Sequence, residues 1–179
     1  MTSTTAGAPS TQATSSAKQQ FLGVYEHEHR TTLRVLRAYP EDKLDLRPHA
    51  KCKTARELAW LMVKEQEMIE KALTTGFDWS APPAPPPAPP ATIAEIVDAL
   101  DKAHRRVVEA VQGEKDEQLS GTVKFFVAPK TMGDVPKTQF IWMMLHDQIH
   151  HRGQFSIYLR MADAKVPSIY GPSADEPWM

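Results

Sequence analysis

The chain has 179 residues, and its 21 Lys and Arg against 22 Asp and Glu leave a net charge of -1 at pH 7. That length suits a single domain. The charge balance lacks the basic excess of a nucleic-acid binder, and no run approaches the ~18 apolar residues of a membrane span. The single cysteine, Cys52, excludes an internal disulfide and any CxxC metal or redox pair, and it fits a reducing, cytoplasmic compartment.

Residues 1–17 are mostly Ser, Thr, Ala and Gly. They offer too little apolar bulk to offset their ordering entropy, which predicts a disordered tail ahead of one domain over 18–179. The segment also lacks the charged start and apolar centre of a secretory signal. From Lys18, the spacing of Phe21, Val24, Tyr25, Leu33 and Leu36 predicts a first helix that Pro40 ends. The polar stretch KLDLRPHAKCK reads as a connection.

Two Ser/Thr-x-x-Glu capping boxes mark the next helix starts, Thr54 to Glu57 and Thr92 to Glu95. The first opens an apolar run from Leu58 to Leu73 that stops near Gly76. The second opens a run from Ile96 to Val111 that stops at Gly113. Between them, Ala81–Ala91 holds seven of the fifteen prolines. An extended proline helix over Pro82–Pro90 spans roughly 28 Å, about the length of a 19-residue α-helix. A tight turn has no need of that reach. The run is therefore expected to cross along a bundle, making helices two and three parallel, with a PxxP ligand for a partner as the alternative.

Thr122–Val127 reads as a short strand or an apolar loop. Pro136 then suits the first turn of a last helix, from Lys137 to about Ala162. The centre of that helix, FIWMMLHDQIHHRGQFSIYLRM, is apolar around much of its circumference, as in a largely buried helix. Trp142, Met143 and Met144 read as core. The fold class expected is all-α, a four-helix bundle with a long Pro-rich crossover.

The chemistry concentrates in that last helix, where three of the seven histidines fall within six residues. Buried imidazoles and carboxylates need partners or a metal. Residues four apart share a helix face, so His146 pairs with His150, and Asp147 with His151 about 100° further round. Either pair can supply two legs of a metal site. Gln154 and Tyr158 extend the second face. Glu65 and Glu67 lie in the largely apolar WLMVKEQEMI of helix two, and Glu65 offers a third leg. An i,i+4 ion pair between Asp147 and His151 is the plainer alternative. His27, His29, His49 and His104 read as surface residues.

The stretch HDQIHHRGQFSIYLRMADAKVPSIYGPSADEP resembles the C-terminal signature of the DinB family, the DinB/YfiT-like metalloenzymes. DKLDLRPHAKCKTARELAW is similar to that family's connection into helix two. The resemblance covers about Phe21 to Trp178. It implies an up-down-down-up bundle, often a homodimer, with three histidines holding a divalent ion, commonly nickel or zinc. It further implies a thiol transferase or thiol-dependent isomerase using a small thiol, and no DNA binding. Residue by residue, the family's last-helix histidine before RGQ matches His151, its partner falls on Asp147, and the helix-two histidine falls on Leu61. The metal ligands expected are Glu65, Asp147 and His151, with His146 and His150 as the alternative pair. One imidazole and two carboxylates favour zinc, manganese or iron(II). The function expected is metal-dependent thiol transfer or hydrolysis on a small molecule. The alternative is a non-catalytic, stress-related dimeric scaffold or binding protein whose metal site is degenerate.

Overall fold

The computed structural model describes residues 16–80, 85, 87–115 and 119–179. Among them stand four long helices, α1 (Ala17–Arg37), α2 (Ala55–Leu73), α3 (Ile93–Gly113) and α4 (Lys137–Met161), with a short 3₁₀ turn at Glu41–Lys43. Strands β1 (Thr122–Ala128) and β2 (Thr131–Pro136) precede α4 and form an antiparallel hairpin. The four helices agree with the expected bundle, and that small hairpin is an addition to the all-α class. Val123 and Val135 face one another in its register and are buried, while Phe125 packs on Phe77 and Phe140. The two-stranded sheet thus closes one end of the bundle.

Both expected capping boxes are formed. At α2 the Glu57 backbone N–H donates to the Thr54 hydroxyl (3.1 Å), and the Thr54 N–H donates to the Glu57 carboxylate (2.7 Å). At α3, Thr92 and Glu95 repeat the arrangement. A third box, Ser16 with Gln19, opens α1. Ser16 and Ala17 therefore belong to the helix start rather than to a tail, and the rest of the expected tail, residues 1–15, lies outside the described residues. Gly76, at φ 71°, lets the chain turn past α2 while its N–H caps the Lys71 carbonyl at 2.7 Å. Thr54→Ala is expected to lower the unfolding free energy by about 1 kcal/mol, read by urea denaturation.

Side-chain contacts fix the helix directions. Lys18 reaches the Gln112 carbonyl and His29 meets Asp101, so α1 and α3 are antiparallel. Arg56 caps the Ala91 carbonyl and Arg106 pairs with Glu70, so α2 and α3 run the same way. Tyr158 donates to the Lys53 carbonyl and Gln148 to that of Met62, which sets α4 antiparallel to α2. Phe21 touches Trp142 and Tyr39 touches Phe155, so α4 runs with α1. The connection from α2 to α3 must therefore return along the bundle. Of the proline run that makes it, Ala81–Ala84 and Pro86 lie outside the described residues.

The core has two apolar halves. One gathers Leu36, Leu58, Met62, Leu100, Phe155 and Leu159. The other gathers Phe21, Ile69, Leu73, Val107, Phe140 and Leu145. On every helix the buried polar residues fall between the halves: Glu28, His29 and Thr32 on α1, Glu65 and Gln66 on α2, His104 on α3, Gln148 and Arg152 on α4. A polar belt thus crosses the waist of the bundle. It holds both His151 and the surroundings of Glu65.

Candidate metal centre

Glu65 projects from the buried stripe of α2, between Met62 and Ile69, and is 2% exposed. Asp147 and His151 lie one turn apart on α4. One ligand atom from each of the three lies within 4.8 Å of the others. His151 Nδ1 is the nitrogen turned to both carboxylates, 2.5 Å from Glu65 Oε1 and 3.9 Å from Asp147 Oδ1. Burial raises the Glu65 carboxyl above its usual range. The contact with Glu65 raises His151. Glu65 Oε2 is buried with no hydrogen-bond partner. An orphaned, desolvated carboxylate oxygen is what a cation would satisfy, and the donor set of one imidazole and two carboxylates suits a hard divalent ion.

The antiparallel packing of α2 on α4 brings Glu65 to the Asp147/His151 pair. It does not bring His146 or His150. Both are exposed, and His150 Nε2 meets Gln154 Nε2 at 2.8 Å. Glu67 faces away from the triad and pairs with Lys64 at 2.7 Å. Tyr158 packs its ring into the core edge, and with His151, Gln154 and Cys52 it lines an open cleft of about 460 Å³. Leu61 lies half-buried on the neighbouring cleft.

Two histidine readings are corrected. His27 and His49 are exposed, but His29 and His104 are buried, and their rings stack at 3.7 Å with 7° between planes. His29 Nε2 lies 3.0 Å from Asp101, and His104 Nε2 lies 2.8 Å from Glu26. Each Nδ1 is buried without a partner. That pattern selects the neutral Nε2–H tautomer, since protonation would strand a buried N–H on each ring and set two positive charges face to face. The signal was present in the spacing. His29 follows Phe21 and Tyr25 by eight and four residues, and His104 follows Leu100 by four. Arg152, for which the sequence raises no expectation, is 1% exposed. Its guanidinium meets Glu28 Oε2 at 2.6 Å and donates to the Tyr170 hydroxyl at 2.6 Å, and that hydroxyl donates on to Glu28 at 2.9 Å. Arg152 lies on the core stripe, four residues after Gln148 and three before Phe155.

A mostly helical, four-helix chain with a carboxylate–imidazole triad between two helices has clear relatives. A sequence model of the DinB family matches residues 10–178, and the chain belongs to that family. It is 27% identical over 157 residues to the uncharacterized protein YrdA of Bacillus subtilis strain 168, covering 87% of this chain and 89% of that one. Among solved structures, a DinB-like protein from Bacillus cereus ATCC 10987 superposes with a TM-score of 0.68 at 26% identity, covering 84% of this chain and 95% of that one. The DinB-like protein YjoA of Bacillus subtilis shares the fold at a TM-score of 0.65 and 13% identity, over 89% of this chain and 99% of that one. Among the described residues no helix is long and apolar enough to cross a membrane.

Proposed function

We propose that this DinB-family bundle binds a divalent metal ion through Glu65, Asp147 and His151 and uses it in transferase or hydrolase chemistry on a small molecule, with a small thiol as nucleophile or co-substrate. The observation that carries the reading is the buried, partnerless Glu65 Oε2 beside His151 Nδ1 and Asp147. Glu65 would give a fixed oxygen from the dry side, and His151 a nitrogen held by the rigid centre of α4. Asp147, with 46% of its side chain exposed, would close the site on the solvent side. When bound, the ion supplies Lewis acidity that lowers the pKa of a water or thiol reaching it. Leu61 leaves the site without the family's helix-two nitrogen, so zinc, manganese and iron(II) suit it better than softer ions.

The experiment is metal analysis of protein purified without a polyhistidine tag. The wild type is expected to carry near-stoichiometric metal and His151→Ala very little. Added zinc or manganese is expected to raise the melting temperature of metal-free wild type by roughly 5 °C or more at a hundredfold excess over Kd, and to leave His151→Ala unmoved. Equally low metal in both proteins, with no thermal shift, would overturn the reading. A second reading rests on the 2.5 Å contact itself. In it, Glu65 and His151 satisfy one another as part of the polar belt, and the bundle is a non-catalytic scaffold. This reading predicts that His151→Ala costs stability while metal changes nothing.

A further inference from the structure

Beside the triad lies a second cleft, of about 500 Å³, and its lining is unusual for a chain of net charge -1. Four cations, Arg47, Lys51, Lys53 and Lys64, face it against a single acid, Glu57. Arg47 is paired with Glu57, and Lys64 with Glu67. Among the described residues Lys51 and Lys53 have no ion-pair partner. They stand on the short connection before Thr54, which the α2 capping box holds in place. The cleft also has an apolar wall. Trp60 presents its ring, with Lys64 Nζ 4.9 Å above it, and Pro87 and Pro89 of the crossover add rigid surface.

Positive charge left unmatched in a concave site raises the local concentration of anions. A flat ring and prolines favour a planar apolar body without an ordering cost. Lys53 and Cys52 line this cleft and the cleft of His151 alike. The two clefts are therefore adjoining parts of one surface, joined at the residues 52–53 step.

We propose that this second cleft is the substrate-recognition half of the site and takes a small organic anion, a carboxylate or phosphate carried on a flat apolar body, with Lys51 and Lys53 holding the charge and Trp60 the body. Its assignment as substrate rests on the metal reading, while the binding itself does not. Lys51 and Lys53 act here as binding groups, and the reacting end of the molecule lies toward His151.

The test uses the full chain, isotopically labelled, in both zinc-treated and chelator-treated form. It is titrated with phenylphosphate, with inorganic phosphate, and with benzyl alcohol as the uncharged comparison. Phenylphosphate is expected to shift the Trp60 indole N–H and the backbone of residues 51–64 saturably, in both metal states, and less so as salt rises. Benzyl alcohol is expected to bind at least tenfold more weakly, and inorganic phosphate more weakly than phenylphosphate. Lys51→Gln with Lys53→Gln is expected to weaken phenylphosphate binding tenfold or more, whereas Lys130→Gln at the hairpin turn leaves it unchanged. The proposal falls if the double variant binds as the wild type does, if the uncharged compound binds equally well, or if the shifts lie elsewhere. Binding that needs zinc and ignores the lysines would overturn it while leaving the metal reading intact. Binding to a chain that takes up no metal would uphold it while the metal reading fails.

Discussion

Arg152→Ala is expected to remove about 3–5 kcal/mol of unfolding free energy. The guanidinium is almost wholly buried, and it meets a Glu28 carboxylate that is itself only 5% exposed. Deleting the cation strands that carboxylate away from water. It also removes donors to the Glu28 carbonyl and to the Tyr170 hydroxyl. Through Tyr170 the C-terminal segment is tied to the centre of α1, so its attachment loosens too. Pairing Glu28→Gln with Arg152→Met is expected to cost less than the sum of the separate changes, because neither charge is left alone. Urea denaturation of the four proteins measures this coupling. A loss below ~1 kcal/mol for Arg152→Ala would show that the carboxylate finds water or another donor.

The second large effect is acid sensitivity centred on α1 and α3. Burial and the neighbouring His104 push His29 down to about 4, from an ordinary value of 6.5, and burial lowers His104 as well. Both rings are neutral in the fold and take up protons on unfolding once the pH drops below about 6.5. The unfolded chain then binds more protons, so stability falls with pH from there down to about 4. His29 alone accounts for on the order of 3 kcal/mol at the lower end. Glu26 and Asp101, held below their usual range chiefly by hydrogen bonds from His104 and His29, shift stability in the same direction at lower pH. His151, raised by Glu65, acts oppositely: its contribution is present in acid and fades as pH rises. Unfolding free energies measured between pH 4.5 and 7 should therefore decline toward acid. His29→Gln with His104→Gln should flatten that slope. Parallel slopes in the two proteins would remove these rings as the cause.

The difference between what was legible in the sequence and what was not follows the range of the interactions. Thr54 with Glu57 and Thr92 with Glu95 satisfy their own backbone within four residues, so the pattern alone located two helix starts. Ser16 with Gln19 escaped notice because it sits at the end of a Ser/Thr-rich stretch with no contrast to mark it. β2 was missed for a different reason. TMGDVP carries a glycine and a proline and buries only Val135, so its strand character comes from pairing with β1 and not from its own residues. At Gly133 a Cβ would approach the Val127 side chain to 2.8 Å, which explains the glycine but only once the hairpin is known. Asp147 and His151 were found by their four-residue spacing. Glu65 was found as an acid in an apolar run, a local anomaly. His29, His104 and Arg152 occupy core positions in the helical period, but polarity marks the two histidines as surface residues and leaves Arg152 unremarked, and their partners, Asp101, Glu26 and Glu28, arrive from other helices.

The polar waist also governs how the helices can align. An apolar helix pair tolerates slipping by one turn, about 5.4 Å, because one leucine replaces another. Here a slip of α4 would tear Glu65 from His151 and Arg152 from Glu28, and a slip of α1 would tear His104 from Glu26 and Arg152 from Glu28. The buried members, Glu65, His104, Arg152 and Glu28, would then lose their partners out of reach of water. The waist therefore works like the teeth of a key, rejecting near-miss alignments that greasy surfaces alone would accept, and the same teeth hold in one constellation a triad whose Glu65 and His151 stand 86 residues apart in the chain.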